Sequence, residues 1–199
     1  MSARIQAMVL GTALLAQWGV LGGSYWQDRQ LLTHGTVYRF ATVPVDPIDP
    51  FRGRYVQLHF AAQQLTLSDA DADFAAGDRL YLPLSHNDAG QAQWGSPRRA
   101  RPDHGDYLRA RVQSLSRNEG GARVLTLTLP FDRYYMNETL APHLETLLRG
   151  RNPPQAYAQV RILDGRARLA QLIVDGQDAE TFVRARMAAA DTVADDALR

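Results

Sequence analysis

The chain contains no cysteine and no lysine, so all 22 of its basic residues are arginine. Without cysteine there can be no disulfide, no thiolate metal site, no thiol nucleophile and no cysteine-linked lipid anchor. Without lysine there is no Ser–Lys dyad, no Schiff base and no phosphate-loop lysine. That argues against a membrane peptidase built on a Ser–Lys pair. A formal net charge of +1 gives no broad pull toward nucleic acid. The five histidines, at 34, 59, 86, 104 and 143, show no zinc spacing, and no Gly-x-Ser-x-Gly turn occurs. No metal and no cofactor is expected, and no catalytic residue can be named outright.

Long hydrophobic runs are scarce too. The single one is residues 5–26, with no charge between Arg4 and Asp28. About 20 helical residues span a bilayer core. Tyr25 and Trp26 stand where a membrane interface favours aromatic rings. Arg4 and the α-amino group make the N-terminal flank positive, which places the N-terminus in the cytoplasm and the rest outside. The expectation is a retained transmembrane anchor over residues 1–30, touching the lipid bilayer through residues 5–26. A cleaved signal peptide and a buried soluble helix are the alternatives. No Ala-x-Ala cleavage site is present, although Gly22, Gly23 and Ser24 are a weak substitute. Residues 27–34 continue the helix and Gly35 stops it.

Beyond Gly35 the period changes from helical to alternating. Strands are predicted over residues 36–43, 55–62, 79–84, 107–115, 123–129, 157–163 and 167–174. Asn118, Gly120 and Gly121 mark one hairpin turn, and Asp164-Gly165 marks another. Asn137 is a candidate N-cap for a helix carrying Leu140, Leu144, Leu147 and Leu148, ended by Gly150. Residues 178–190 read as a second short helix. The reading is one extracytoplasmic domain over residues 35–190 and a frayed tail over 191–199. Its class is mainly β (α+β): an antiparallel β-sandwich or partly open barrel with one or two short helices.

The most constrained stretch is residues 44–60. Pro44, Pro47 and Pro50 stiffen a loop that carries Asp46 and Asp49, then Arg52 and Gly53. From Tyr55 the pattern alternates, with Val56, Leu58 and Phe60 on one face and Tyr55, Gln57 and His59 on the other. The two carboxylates can bind a cation or do acid–base work. They can equally accept backbone N–H groups and pair with Arg52 to set the chain's path into the strand. Gly53, lacking Cβ, suits a positive φ or a close backbone approach. Glu138 and Glu145 are seven apart and share a face on a continuous helix, with Tyr134 and Tyr135 one turn earlier. That is either a polar cleft or a simple complement to the helix dipole. Asp69, Asp71 and Asp73 have the spacing that starts a calcium loop but lack its glycine and distal glutamate, so a solvated loop is expected. Arg98, Arg99 and Arg101 form a basic loop that suits lipid headgroups, an acidic partner or plain solvent. Among the histidines His59 alone merits a probe, with an exposed or hydrogen-bonded strand residue as the plain reading.

The segment Pro-x-Asp-Pro-x-Asp-x-x-Arg-Gly-x-Tyr-x-x-Leu-x-Phe resembles the signature of the GDYXXLXY family of bacterial membrane-anchored proteins. Gly53, Tyr55 and Leu58 fit, whereas Arg54 stands for the usual Asp and Phe60 for the final Tyr. A literal Gly-Asp-Tyr at 105–107 lacks the Pro/Asp lead-in and is left out of the match. Residues 131–145 and 158–176 resemble later parts of the family pattern, so the likeness covers roughly residues 5–176. It implies membrane anchoring but no established reaction, and the leading reading is an accessory or binding module of unknown ligand at the inner membrane, with its domain on the periplasmic side. It also implies a polytopic membrane-protein partner. The alternative is a hydrolase using Asp46, Asp49 and Glu138.

Overall fold

The structure is a computed structural model that describes residues 3–43, 55–68 and 73–196. The apolar run builds α1 (Ala3–His34), 32 residues long. It stops where expected. The Gly35 N–H still reaches the Leu31 carbonyl at 3.0 Å, and a Cβ on Gly35 would sit 2.4 Å from that same oxygen. Only the last turns of α1 touch the domain. Leu31 is buried, Arg166 Nη1 donates to Gln27 Oε1 at 2.6 Å, and Asp28 is shared by Arg166 and Arg168. N-terminal to this, among the described side chains, Met8, Leu10, Leu14, Leu15, Trp18, Val20, Leu21, Tyr25 and Trp26 are all exposed. Among the described residues no helix is long and apolar enough to cross a membrane. The spanning segment expected at residues 5–26 is therefore not found in this form. Gly11, Thr12, Gln17, Gly19, Gly22, Gly23 and Ser24 dilute the hydropathy of the described part of the run.

The domain is mainly β, with three α-helices among the described residues and its sheet curled into a half-barrel. In chain order the strands are β1 (Thr36–Val43), β2 (Tyr55–Gln57), β3 (His59–Phe60), β4 (Gln64–Thr66), β5 (Arg79–His86) and β6 (Ala92–Trp94). There follow β7 (Tyr107–Arg117), β8 (Arg123–Thr128), β9 (Arg133–Tyr135), α2 (Ala141–Leu148), β10 (Ala156–Leu163), β11 (Arg166–Val174), β12 (Gln177–Asp178) and α3 (Ala179–Asp196). One five-stranded sheet runs β12-β11-β10-β1-β3 and another β4-β8-β7-β5-β6, while β2 pairs with β9 alone. Every strand-to-strand ladder is antiparallel. Register shifts at Gln159/Val160 and Val112/Ser114 are bulges, which bend a strand and deepen its twist.

The predicted strand over 55–62 is divided. Its first half pairs with β9, a pairing that the Leu58 N–H extends by one rung to the Asp132 carbonyl at 2.8 Å, and its second half pairs with β1. A 3-10 turn over Ala61–Gln63 then ends the run. The alternation survives the division. Val56, Leu58 and Phe60 are each 2% exposed, and burying side chains of this kind contributes roughly 1.5–3 kcal/mol apiece. The core they join is aromatic at its centre. Phe40, Phe60 and Phe131 lie with ring centroids 5.0 to 6.1 Å apart, and Trp94 covers Phe40. Trp94 satisfies its indole by donating to the Ala62 carbonyl at 2.7 Å.

The two large sheets meet at a turn. Asp164 and Gly165 take φ of 50° and 75°, the pair of positive angles that a two-residue hairpin requires. The turn presses onto β7, where Arg109 N donates to the Gly165 carbonyl at 3.0 Å. A Cβ on Gly165 would lie 2.4 Å from the Tyr107 ring, so glycine is demanded twice there, by conformation and by space.

Two helix expectations are corrected. α2 starts at Ala141, later than the Asn137 cap implies. Asn137 closes the preceding turn instead: its Oδ1 accepts from Thr139 N and Oγ1, and its carbonyl accepts from Leu140 and Ala141. Pro142 then occupies the first helical turn, where its missing N–H costs nothing. α3 runs on to Asp196 rather than fraying at 191, since its alanine-rich stretch has high helix propensity.

Candidate functional site

A cleft of about 380 Å3 opens where the end of β1, the β2–β3 segment and the C-terminal end of α2 converge. Val43 and Val56 both line it. The chain thus leaves for the Pro/Asp loop, and returns from it, at the rim of this cleft. Asp46, Asp49, Arg52 and Gly53 themselves lie outside the described residues, as do Asp69 and Asp71. Tyr55 is described in its backbone alone, which pairs with Tyr135.

Three polar side chains give the cleft its chemistry. Glu145 projects from α2 and lies 3.7 Å from Arg149, one turn on. Both are partly exposed, so the pair stabilises little and leaves its charges open to a ligand. His59 enters from β3, opposite Val43 in the ladder. Its Nδ1 is buried and has no hydrogen-bond partner among the described residues. Buried polar atoms are nearly always satisfied, which makes this nitrogen an exception. Gln57, Tyr157 and Pro154 complete a wall of mixed polarity. The volume falls in the range of small-ligand pockets.

The structure separates the two glutamates that the seven-residue spacing would have placed on one face. Glu138 precedes α2 and is exposed, so the shared helical face does not form; Glu145 alone reaches the cleft. Tyr134 is half-buried on β9, away from the cleft lining. Its phenol is pushed up to about 12, chiefly by burial, with the Asp178 and Glu180 charges adding. The basic loop is neutralised in part: Arg99 pairs with Asp78 at 3.2 Å and Arg101 with Asp164 at 3.1 Å. Asp73 pairs with Arg123. Among the described residues no group of three His, Asp or Glu side chains could hold a metal.

A second polar cluster lies nearer the start of β1. The buried Tyr38 donates to Asp106 at 3.0 Å and stacks on His86 with ring centroids 4.4 Å apart. Burial, with Asp106 adding, holds this phenol above its ordinary value. The literal Gly-Asp-Tyr therefore supplies a structural carboxylate. The sequence marked His59 and Glu145 but carried no sign that they converge. Arg149 and Tyr157 went unnoticed, because only tertiary packing brings them to the cleft.

Fold and cleft together define a small antiparallel β domain with a side pocket and an N-terminal helix that is apolar and mostly uncovered. The chain belongs to the family described as GDYXXLXY protein, whose sequence model matches residues 17–172. Neither the curated proteins nor the solved structures contain a match to it.

Proposed function

We propose that the protein is a membrane-anchored binding module. In this reading α1 holds the β domain at the extracytoplasmic face of the inner membrane, and the cleft lined by Val43 and Val56 receives a ligand or a segment of a membrane-protein partner. The observation that carries the reading is the exposure of α1: nine large apolar side chains between Met8 and Trp26 have no protein cover. An uncovered apolar surface of that length is unusual in water and points to a membrane or a partner. The uncharged sequence from Ile5 to Trp26 adds support, including Ile5 and Val9, whose side chains lie outside those described. The hydrolase alternative has less behind it. Among the described residues Glu145 is the one carboxylate lining the cleft, and Glu138 lies outside it.

The test is extraction of membranes from cells producing the full chain. Retention in the pellet at alkaline pH is expected, and release of intact protein contradicts the anchor. Because the chain has no cysteine, Asp88→Cys gives a unique probe on an exposed turn. A membrane-impermeant maleimide should label it before lysis, and labelling only after lysis contradicts the orientation.

A further inference from the structure

We propose that an arginine-lined face beside the root of α1 binds the phosphate headgroups of anionic phospholipids, an inference that rests on α1 being a membrane anchor. In the β5–β7 ladder Arg79 stands directly opposite Arg111, and Tyr81 opposite Arg109. Alternate residues share a face, so the three guanidinium groups emerge on one side of the sheet. All three arginines are exposed, and they line one groove of about 380 Å3 floored by Tyr81 and Thr128. Like charges directly opposite one another destabilise a sheet. Among the described residues no carboxylate pairs with Arg79, Arg109 or Arg111, because the nearby acids are taken. Asp78 serves Arg99, Asp164 serves Arg101, and Asp28 is divided between Arg166 and Arg168. Unmatched positive charge is thus concentrated on this sheet face.

The face is continuous with the anchor. A second groove, of about 310 Å3, shares Arg109 and Pro130 with the first and is bounded by Asp28, Leu31, Arg166 and Arg168. Arg166 is hydrogen-bonded to Gln27, the residue after Trp26. A helix rises only about 1.5 Å per residue. If the apolar run ends in the bilayer at Trp26, these guanidinium groups stand at headgroup depth. Arginine's planar fork suits phosphate oxygens, and a basic surface beside an anchor is drawn to anionic lipid.

The same chemistry would admit free phosphate, so the test separates the two sources. Full-length protein in neutral detergent is titrated with dioctanoyl phosphatidylglycerol, dioctanoyl phosphatidylcholine and inorganic phosphate, and binding is read by thermophoresis. Phosphatidylglycerol should bind at least tenfold more tightly than phosphatidylcholine. Arg79→Gln/Arg111→Gln should lose at least fivefold of that affinity while phosphatidylcholine binding stays constant. Arg109→Gln is an independent second variant with the same expected direction. Equal affinity for the two lipids, or unchanged affinity in these variants, overturns the proposal. Inorganic phosphate binding as tightly as phosphatidylglycerol overturns the lipid as the source. Release of the protein by alkaline extraction overturns the anchor reading and the lipid source with it. Retention combined with equal lipid affinities overturns the headgroup site alone.

Discussion

His59 is the residue at which structure and candidate function pull apart. Its Nδ1 is buried without a hydrogen-bond partner among the described residues, and leaving such an atom unsatisfied costs roughly 1–3 kcal/mol. A side chain kept only for stability would be replaced there by an apolar one. His59→Leu should therefore raise the stability of the folded chain by about 1 kcal/mol, read as a higher melting temperature in detergent. A lower melting temperature would mean that the imidazole is held by a partner and is no free ligand for the cleft. Neighbouring positions show how far single residues can be read in advance. The inward side of the signature strand was legible because Val56, Leu58 and Phe60 alternate strictly and all three are buried. The separation of Glu138 from Glu145 was not, since it depends on where the helix starts. A turn held by the Asn137 side chain delays that start to Ala141.

At the scale of elements, the hairpins were the clearest features of the sequence. Asp164-Gly165 and the Asn118 to Gly121 turn carry the residues that positive φ requires, and both join the strands they were expected to join. The pairs β2, β3 and β9, and the short edge strands β4, β6 and β12, were illegible as separate elements. Strands of two or three residues hold too few positions for a period to show, and long-range partners rather than local pattern define them. The β5–β7 ladder offers a direct test of element energetics. Arg79 opposes Arg111 without a carboxylate. Arg79→Glu converts a repulsive cross-strand pair into an attractive one and should stabilise the domain by about 0.2–1 kcal/mol. The gain should shrink at high salt, where exposed charges are screened. A loss of stability in a thermal melt would show that Arg79 has a structural partner.

For the whole molecule, the two sheets and the small β2–β9 pair curl around one aromatic-centred core. Among the described residues, α1 is fastened to that body through Leu31, Gln27 and Asp28. The architecture therefore divides into a β domain with its own core and a helix whose described apolar side chains that domain leaves open. The central claim is that lipid covers this surface, and the three tryptophans measure it directly. Trp18 and Trp26 lie on the exposed helix, whereas Trp94 packs on Phe40 and donates to the Ala62 carbonyl. Single-tryptophan variants of the full chain, reconstituted into vesicles of brominated phosphatidylcholine, report the depth of each ring by fluorescence quenching. The account predicts strong quenching of Trp18 by bromines deep in the acyl chains, quenching of Trp26 by shallow bromines, and none for Trp94. Trp18 and Trp26 as insensitive as Trp94 at every bromine depth would contradict it.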